Sequence, residues 1–369
     1  MRIFSISPTS ILENDQLPST LPEGGYIWIA SARREFEVNQ RQIQATLTAL
    51  CGNQLVDLHL ADLLNNQLPS HYDYTSEYDI VVFRRLAAGQ SETDLAQPGE
   101  PLHESRKGGG PQVLKRIDTS PVGFAVFDRV LLTVHPTGCA IREAYASRLL
   151  NSASPEERSA GARPPSSPAD LMLRVINHMV DGYLELRREL THDLDRWQVE
   201  LLSPKTRFNN WSLLLDAQLT LHQLDEICED QRSAIQDWIE AVKTWPEPAN
   251  ADERRERELL MVRSRDVLEH IERVVHHVDR MERSAETAVQ MHFSVQGNRT
   301  NDTMRTLTAL TAIFLPLNLI TGFFGMNFDF LPLVKTESGF WISFAGMLLV
   351  AVVIVVLFWR RNYLGSSKD

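Results

Sequence analysis

The sequence predicts an α+β protein: an N-terminal α/β domain, then a long helical stalk that continues into two C-terminal membrane-spanning helices. Three observations predict it. Short β-rich runs alternate with helical stretches before residue 135, helical apolar spacing takes over after residue 170, and two charge-free segments lie within the last 65 or so positions. With 369 residues and 43% hydrophobic content, the chain is long enough for one sizeable soluble core and a further part.

The β-rich runs are Tyr26–Ala30, Leu55–Leu58, Tyr78–Phe83, Val122–Phe127 and Val130–Val134, with a helical stretch at Glu37–Leu50. Leu95–Gln112, rich in Pro, Gly and charge, reads as a loop between two strands. Its Gly108-Gly109-Gly110 lacks the following helix and the Lys-Ser/Thr pair that a phosphate-cradling loop needs. Asn151–Asp170 is a linker by composition. Beyond it, Leu173, Ile176, Met179, Val180, Tyr183, Leu184, Leu190, Leu194 and Trp197 repeat mostly at helical spacing and predict a helix over Leu171–Leu202. A second helix is expected over Asn210–Thr244, stopped by Trp245-Pro246-Glu247-Pro248. From Ala251 no Pro occurs before Pro316, so one helix of about seventy residues can run to Phe324, on the order of 100 Å at 1.5 Å per residue.

Thr306–Phe324 and Phe340–Trp359 carry no charge, and each approaches the roughly twenty residues needed to cross about 30 Å of hydrocarbon. Arg305 precedes the first span, while Arg360, Arg361 and Lys368 follow the second, which places both termini in the cytoplasm. The division expected is therefore 1–150 (cytosolic α/β domain), 151–170 (linker), 171–305 (helical stalk), 306–324 (first span), 325–339 (external loop), 340–359 (second span) and 360–369 (cytosolic tail). The N-terminus has no apolar run of signal-peptide length.

A formal charge of -11 argues against nucleic acid, whose phosphates require an excess of Lys and Arg, and suits cations. Cys51, Cys139 and Cys228 lie far apart and suggest neither a zinc knuckle nor a disulfide framework. His192, Asp193 and Asp195 are acid/base types on a charged helix, with His135 elsewhere, but no Ser or Cys nucleophile or Gly-rich turn lies beside them, so no enzyme is expected. Asn301, Met304, Thr308, Thr311, Leu315, Asn318 and Gly322 recur at steps of three or four on the helix entering the first span. Such a polar stripe faces a water-filled bundle interior, with Met304 and Leu315 as apolar constrictions, or else bonds neighbouring helices. Two spans cannot enclose a polar path, so a pore needs a ring of subunits.

The first span ends in Phe323-Phe324-Gly325-Met326-Asn327-Phe328. Its Gly-Met-Asn resembles the signature of the CorA family of magnesium and divalent cation channels. Asn298-Arg299-Thr300-Asn301, Met304-Arg305, Leu307-Thr308 and Ile313-Phe314-Leu315-Pro316-Leu317 resemble the family's pore helix without a gap. A looser resemblance extends through Arg265-Asp266-Val267 with Glu269-His270, Asp181 with Tyr183, and Leu131–Pro136. The resemblance implies a homopentamer in a bacterial inner membrane that takes up Mg²⁺, with Gly325, Met326 and Asn327 as selectivity filter and the stripe lining the pore. It further implies that Asn327 meets the metal, and that Asp266 holds regulatory Mg²⁺ between subunits. Asn318 stands where the family pore often has a small hydroxyl residue, and the family's Met-Pro-Glu-like loop is replaced by Phe328–Val334, without the Glu. Metal preference among Mg²⁺, Co²⁺, Ni²⁺ and Zn²⁺ stays open: His270, His276, His277 and His292 keep a Zn²⁺ transporter of the same superfamily as an alternative, and a membrane-tethered metal sensor without transport is a second.

Overall fold

A computed structural model describes residues 1–8, 10–86, 119–152, 164–202, 211–326 and 337–360. In chain order the elements are β1 (Arg2–Ile6), β2 (Ile11–Asn14), β3 (Tyr26–Ala32), α1 (Arg33–Cys51), α2 (Asp57–Leu64), β4 (His71–Tyr74), β5 (Asp79–Leu86), β6 (Thr119–Val126), β7 (Val130–His135), α3 (Ala140–Ser152), α4 (Pro168–Leu202), α5 (Trp211–Thr244), α6 (Ala251–Phe324) and α7 (Glu337–Arg360). Contacts group the chain into two compact units, Met1–Glu286 and Thr287–Asp369.

In the first unit the strands form one mixed sheet in the order β2-β1-β3-β7-β6-β5-β4. Two antiparallel sets meet at a parallel pairing of β3 with β7, in which Ile27 faces Val130 and Ala32 faces His135. Alternation along the strands divides the side chains between two faces. Ile27, Ile29, Ile80, Val82, Leu132 and Val134 pack with Phe36, Ile43 and Leu47 of α1 and with Leu60 and Leu63 of α2. The opposite face presents Phe4 and Trp28, stacked at 5.0 Å between ring centroids. Helices α3, α4 and α5 complete this unit around the sheet. The carbonyl of Arg84 on β5 receives the Tyr183 hydroxyl from α4 at 3.0 Å and the Gln231 amide from α5 at 2.7 Å.

Local sequence explains the helix starts. Ser167, Pro168 and Asp170 open α4: the Asp170 amide meets Ser167 Oγ at 3.3 Å, its carboxylate returns to the Ser166 N–H at 3.0 Å, and Pro168 occupies the first helical position. Asn250 and Glu253 make the equivalent reciprocal cap at α6, with Glu253 N–H on Asn250 Oδ1 at 2.8 Å. Leu260, Ser264, Val267, Ile271, Val274, Val278, Met281 and Ala285 then form a buried stripe at alternating steps of four and three. Trp238 of α5 fastens to it by an indole N–H donated to Ser264 Oγ at 3.0 Å.

Three expectations need correction or addition. Leu55–Leu58 is not a strand: Val56 is the extended residue before α2, Asp57 lies in its first turn, and Leu60 and Leu63 are buried at helical spacing. A short apolar run does not by itself distinguish the two structures. Strands β1, β2 and β4 and helix α3 had no sequence expectation; β2 and β4 are edge strands of four residues each, too short for a clear alternation. The loop expected at Leu95–Gln112 lies outside the described residues. The long helix ends at Phe324 as expected and runs through Pro316.

A buried polar chain crosses the parallel pairing. The Trp28 indole N–H donates to Thr133 Oγ1 at 2.9 Å, Thr133 Oγ1 lies 2.8 Å from His135 Nε2, and Cys139 Sγ lies 3.6 Å from His135 Nδ1. Burial, reinforced by the Arg142, Arg85 and Arg33 charges, lowers the His135 pKa to about 3, so the imidazole is neutral and its Nε2 shares a hydrogen bond with the Thr133 hydroxyl. Thr133→Val keeps the shape but leaves Trp28 without its acceptor and His135 Nε2 without its hydroxyl partner. It is expected to destabilise the first unit by about 1–3 kcal/mol, read as faster amide hydrogen exchange in β3 and β7. Below pH 6.5 the unfolded chain protonates this imidazole and the folded chain does not, so stability falls as pH falls. This group removes about 2 kcal/mol between pH 7.5 and 5.0, and His135→Gln should flatten that part of a pH series of hydrogen-exchange protection.

Candidate functional site

The second unit contains the C-terminal part of α6 and all of α7. Both helices are long and apolar enough to cross a membrane, and their apolar windows are almost wholly exposed within the chain. Trp341, Leu349 and Trp359 are 68, 64 and 74% exposed. A soluble core helix would bury such residues, so lipid or other protein must cover them.

On α6 the stripe of Asn301, Met304, Thr308, Thr311, Leu315, Asn318 and Gly322 lies on one helix face by its steps of three and four, and it is exposed, as is most of this segment. The Thr308 hydroxyl donates to the Met304 carbonyl at 2.8 Å and the Thr311 hydroxyl to the Leu307 carbonyl at 2.9 Å. Each threonine thus satisfies its proton within the helix and keeps oxygen lone pairs for an outside donor. The Asn318 carbonyl accepts the Thr321 hydroxyl at 3.1 Å, leaving the Asn318 side chain uninvolved in that bond. Met304 and Leu315 interrupt the polar groups with exposed apolar side chains.

The helix closes with the Gly325 N–H on the Thr321 carbonyl at 2.9 Å and the Met326 N–H on the Phe323 carbonyl at 3.3 Å. A Cβ placed on Gly325 would sit 2.9 Å from the Thr321 oxygen, so glycine is required by close approach of backbone. Met326 is 45% exposed. Asn327 lies outside the described residues, as does the rest of the loop through residue 336.

In the first unit, Asp266 is more than half exposed and stands 3.9 Å from His270 Nε2, one turn on. The other ring nitrogen of His270 faces Asp181 of α4 at 4.0 Å. The sequence singled out Asp266 without a carboxylate companion; Asp181 is one in the same chain, brought there by packing of α4 on α6. The Asp266/His270 spacing of four was the available signal. Among the described residues, no three His, Cys, Asp or Glu side chains gather in a metal-holding group. Of the stalk histidines, His277 Nε2 lies 2.8 Å from the Thr191 hydroxyl and His292 is buried. The acid/base types are dispersed: His192 and Asp195 are exposed on α4, while His135 is sealed in the core; the side chain of Asp193 is outside the described residues.

A mixed-sheet unit joined in sequence to two exposed helices, each long and apolar enough to span a bilayer, gives the class of a membrane protein with two C-terminal helices. The family described as CorA-like Mg²⁺ transporter protein matches residues 106–361, over two thirds of the chain, and the chain belongs to that family. It is 25% identical to the cobalt/magnesium transport protein CorA of Thermotoga maritima over 194 residues, 53% of this chain and 52% of that protein. With the cobalt/magnesium transport protein CorA of Methanocaldococcus jannaschii it shares 37% identity over 71 residues, 19% of this chain and 22% of that one. The chain thus aligns with about half the length, or less, of these curated relatives. Among solved structures, the complete CorA magnesium transporter from Methanocaldococcus jannaschii superposes with a TM-score of 0.70 at 16% identity, covering 98% of both chains. The full-length CmaX protein gives 0.58 at 16% identity, covering 98 and 97%. Both likenesses show the fold, which is the predicted α+β class.

Gly322 on α6 and Gly325 just beyond its end make contrasting predictions. At Gly322 nothing lies within 4 Å of an added Cβ, so Gly322→Ala should raise helix stability by roughly 0.5–1 kcal/mol within the chain. Gly325→Ala must displace the Thr321 carbonyl, and is expected to lower the thermal midpoint of detergent-solubilised protein where Gly322→Ala does not.

Proposed function

We propose that this protein carries divalent cations across a membrane, with Mg²⁺ as the favoured substrate, through a homopentameric pore lined by the membrane segment of α6. The observation that carries the reading is the exposed stripe from Asn301 to Gly322, whose threonine protons are spent inside the helix and whose oxygens are left as acceptors. Hydrated Mg²⁺ presents only water protons, and it gives up its water reluctantly. Neutral oxygens recognise that hydrated ion without stripping it and hold it weakly enough to let it leave.

In this reading Asn327 and the Gly325 carbonyl, positioned by Met326 and the tight helix end, form the ring that admits the ion. Met304 and Leu315 close the path by dewetting, and Asn318 makes a second polar ring. Pentameric closure supplies the wall that two helices per chain cannot, and buries apolar surface now exposed on α6 and α7. Residues 1–150, the 151–170 linker and the 171–305 stalk lie in the cytosol, with both termini there; 306–324 and 340–359 span a bacterial plasma membrane, 325–339 is external and 360–369 is a cytosolic tail. A negative-inside potential drives uptake, favouring a divalent ion by about 4.6 kcal/mol per 100 mV. Asp266 holds regulatory Mg²⁺ between subunits, where binding that differs between open and closed rings shifts their populations.

The test is flux into liposomes holding purified protein, with Mg²⁺ and Zn²⁺ compared across an imposed potential. Wild type should admit Mg²⁺, and Asn327→Ala should reduce entry at least tenfold while protein content and orientation stay constant. Zn²⁺ flux with little Mg²⁺ would assign the substrate to zinc, and absence of either flux from folded protein would sink transport in favour of sensing.

A further inference from the structure

The charge-free segment of α6, Thr306–Phe324, carries five polar side chains: Thr306, Thr308, Thr311, Asn318 and Thr321. Each threonine hydroxyl donates to a carbonyl three or four residues earlier, at 2.8 to 3.1 Å. Asn318 differs. Its head group holds N–H donors beside an acceptor oxygen, and among the described residues the side-chain bond that Asn318 shares is received at its backbone carbonyl, not at its amide. The residue is exposed, and Leu315 and Leu319 beside it are apolar and 68 and 74% exposed.

Depth makes this amide informative. Asn318 stands twelve residues from Thr306 and six from Phe324, about 18 and 9 Å along the helix axis. Hydrocarbon offers its donors no acceptor, so an amide at that depth requires water or another chain. Donors turned to water along the stripe would face the outward-pointing protons of a hydrated cation, where Thr308 and Thr311 present oxygen lone pairs. A nitrogen turned sideways, toward a neighbouring helix, removes that conflict. In a ring made by rotation every copy of Asn318 lies at one height, so the N–H of each can reach the oxygen of the next.

Resting on the pore reading above, we infer that Asn318 is a contact between copies of this chain: its amide N–H donates to the Asn318 oxygen of the adjacent copy, and the bonds close a ring inside the membrane. This turns the nitrogen toward the neighbour and leaves each oxygen a second lone pair for the path. The threonines reach the same state within one helix, and Asn318 reaches it only between helices. Amide bonds of this kind hold helices together in hydrocarbon, and a single polar residue in an apolar seam fixes register and subunit number.

The experiment uses full-length protein in detergent and has two arms. In a Cys51→Ser background, with Cys139 and Cys228 buried, copper-phenanthroline should link Asn318→Cys chains into dimers, and Leu317→Cys, on the opposite helix face, should link far fewer. On dilution followed by light scattering, the Asn318→Leu oligomer should dissociate more readily than wild type, by about threefold for each hydrogen bond lost, with Asn318→Gln between the two because it keeps an amide. Cross-linking no better than at Leu317, or an Asn318→Leu oligomer as stable as wild type, overturns the contact. Neither arm reads ion flux: protein that passes both but admits no Mg²⁺ carries the contact and sinks transport, and protein that admits Mg²⁺ but fails either arm sinks the contact alone.

Discussion

The first unit depends on the parallel pairing of β3 with β7. On one side of that seam stand β2 and β1, on the other β6, β5 and β4, each set antiparallel within itself. The seam is also where both faces of the sheet are most completely covered: Ile27, Trp28, Ile29, Leu131, Leu132 and Thr133 are all inaccessible. A strand buried on both faces can carry few polar side chains, and each needs a partner. Thr133 meets that requirement by accepting from Trp28 and hydrogen-bonding His135, so one hydroxyl satisfies two larger polar groups on the paired strands.

A different constraint rules the second unit. Its apolar helices cannot bury themselves within the chain, and the hydroxyls they carry must find partners without water. Thr308 and Thr311 use the carbonyl four residues earlier, which costs the helix little and orients oxygen lone pairs outward. The same arrangement leaves oxygen acceptors exposed on a helix otherwise fit for hydrocarbon. The close approach at Gly325 ends the helix tightly at the residue next to Met326 and Asn327.

The contact of α4 with α6 shows how helix packing in the first unit concentrates charge. Asp170 serves the cap of α4 and both of its arginine partners, Arg174 and Arg263, at once, so a local requirement of helix initiation becomes the anchor for an arginine 93 positions away in sequence. On the neighbouring turns, Asp181 and Asp266 approach the two nitrogens of His270. Acidic and basic groups therefore alternate along the contact of α4 with α6, a pattern neither helix reveals alone.

Periodicity and chain chemistry determined the long elements. The apolar spacing after residue 170, the proline-free stretch from Ala251 and the charge-free terminal segments are local properties, so α4, α5, α6 and α7 were legible in residue order, as were the stripe from Asn301 to Gly322 and the Gly-Met-Asn resemblance to the CorA family. Tertiary structure decided what local signals leave open. The edge strands β2 and β4 exist because neighbours supply hydrogen bonds, and Leu55–Leu58 enters a helix because Leu60 and Leu63 find a core to fill. Asp181 with His270, and Arg263 with Asp170, are pairings between helices. Their residues are remote in sequence, and only packing fixes which faces meet.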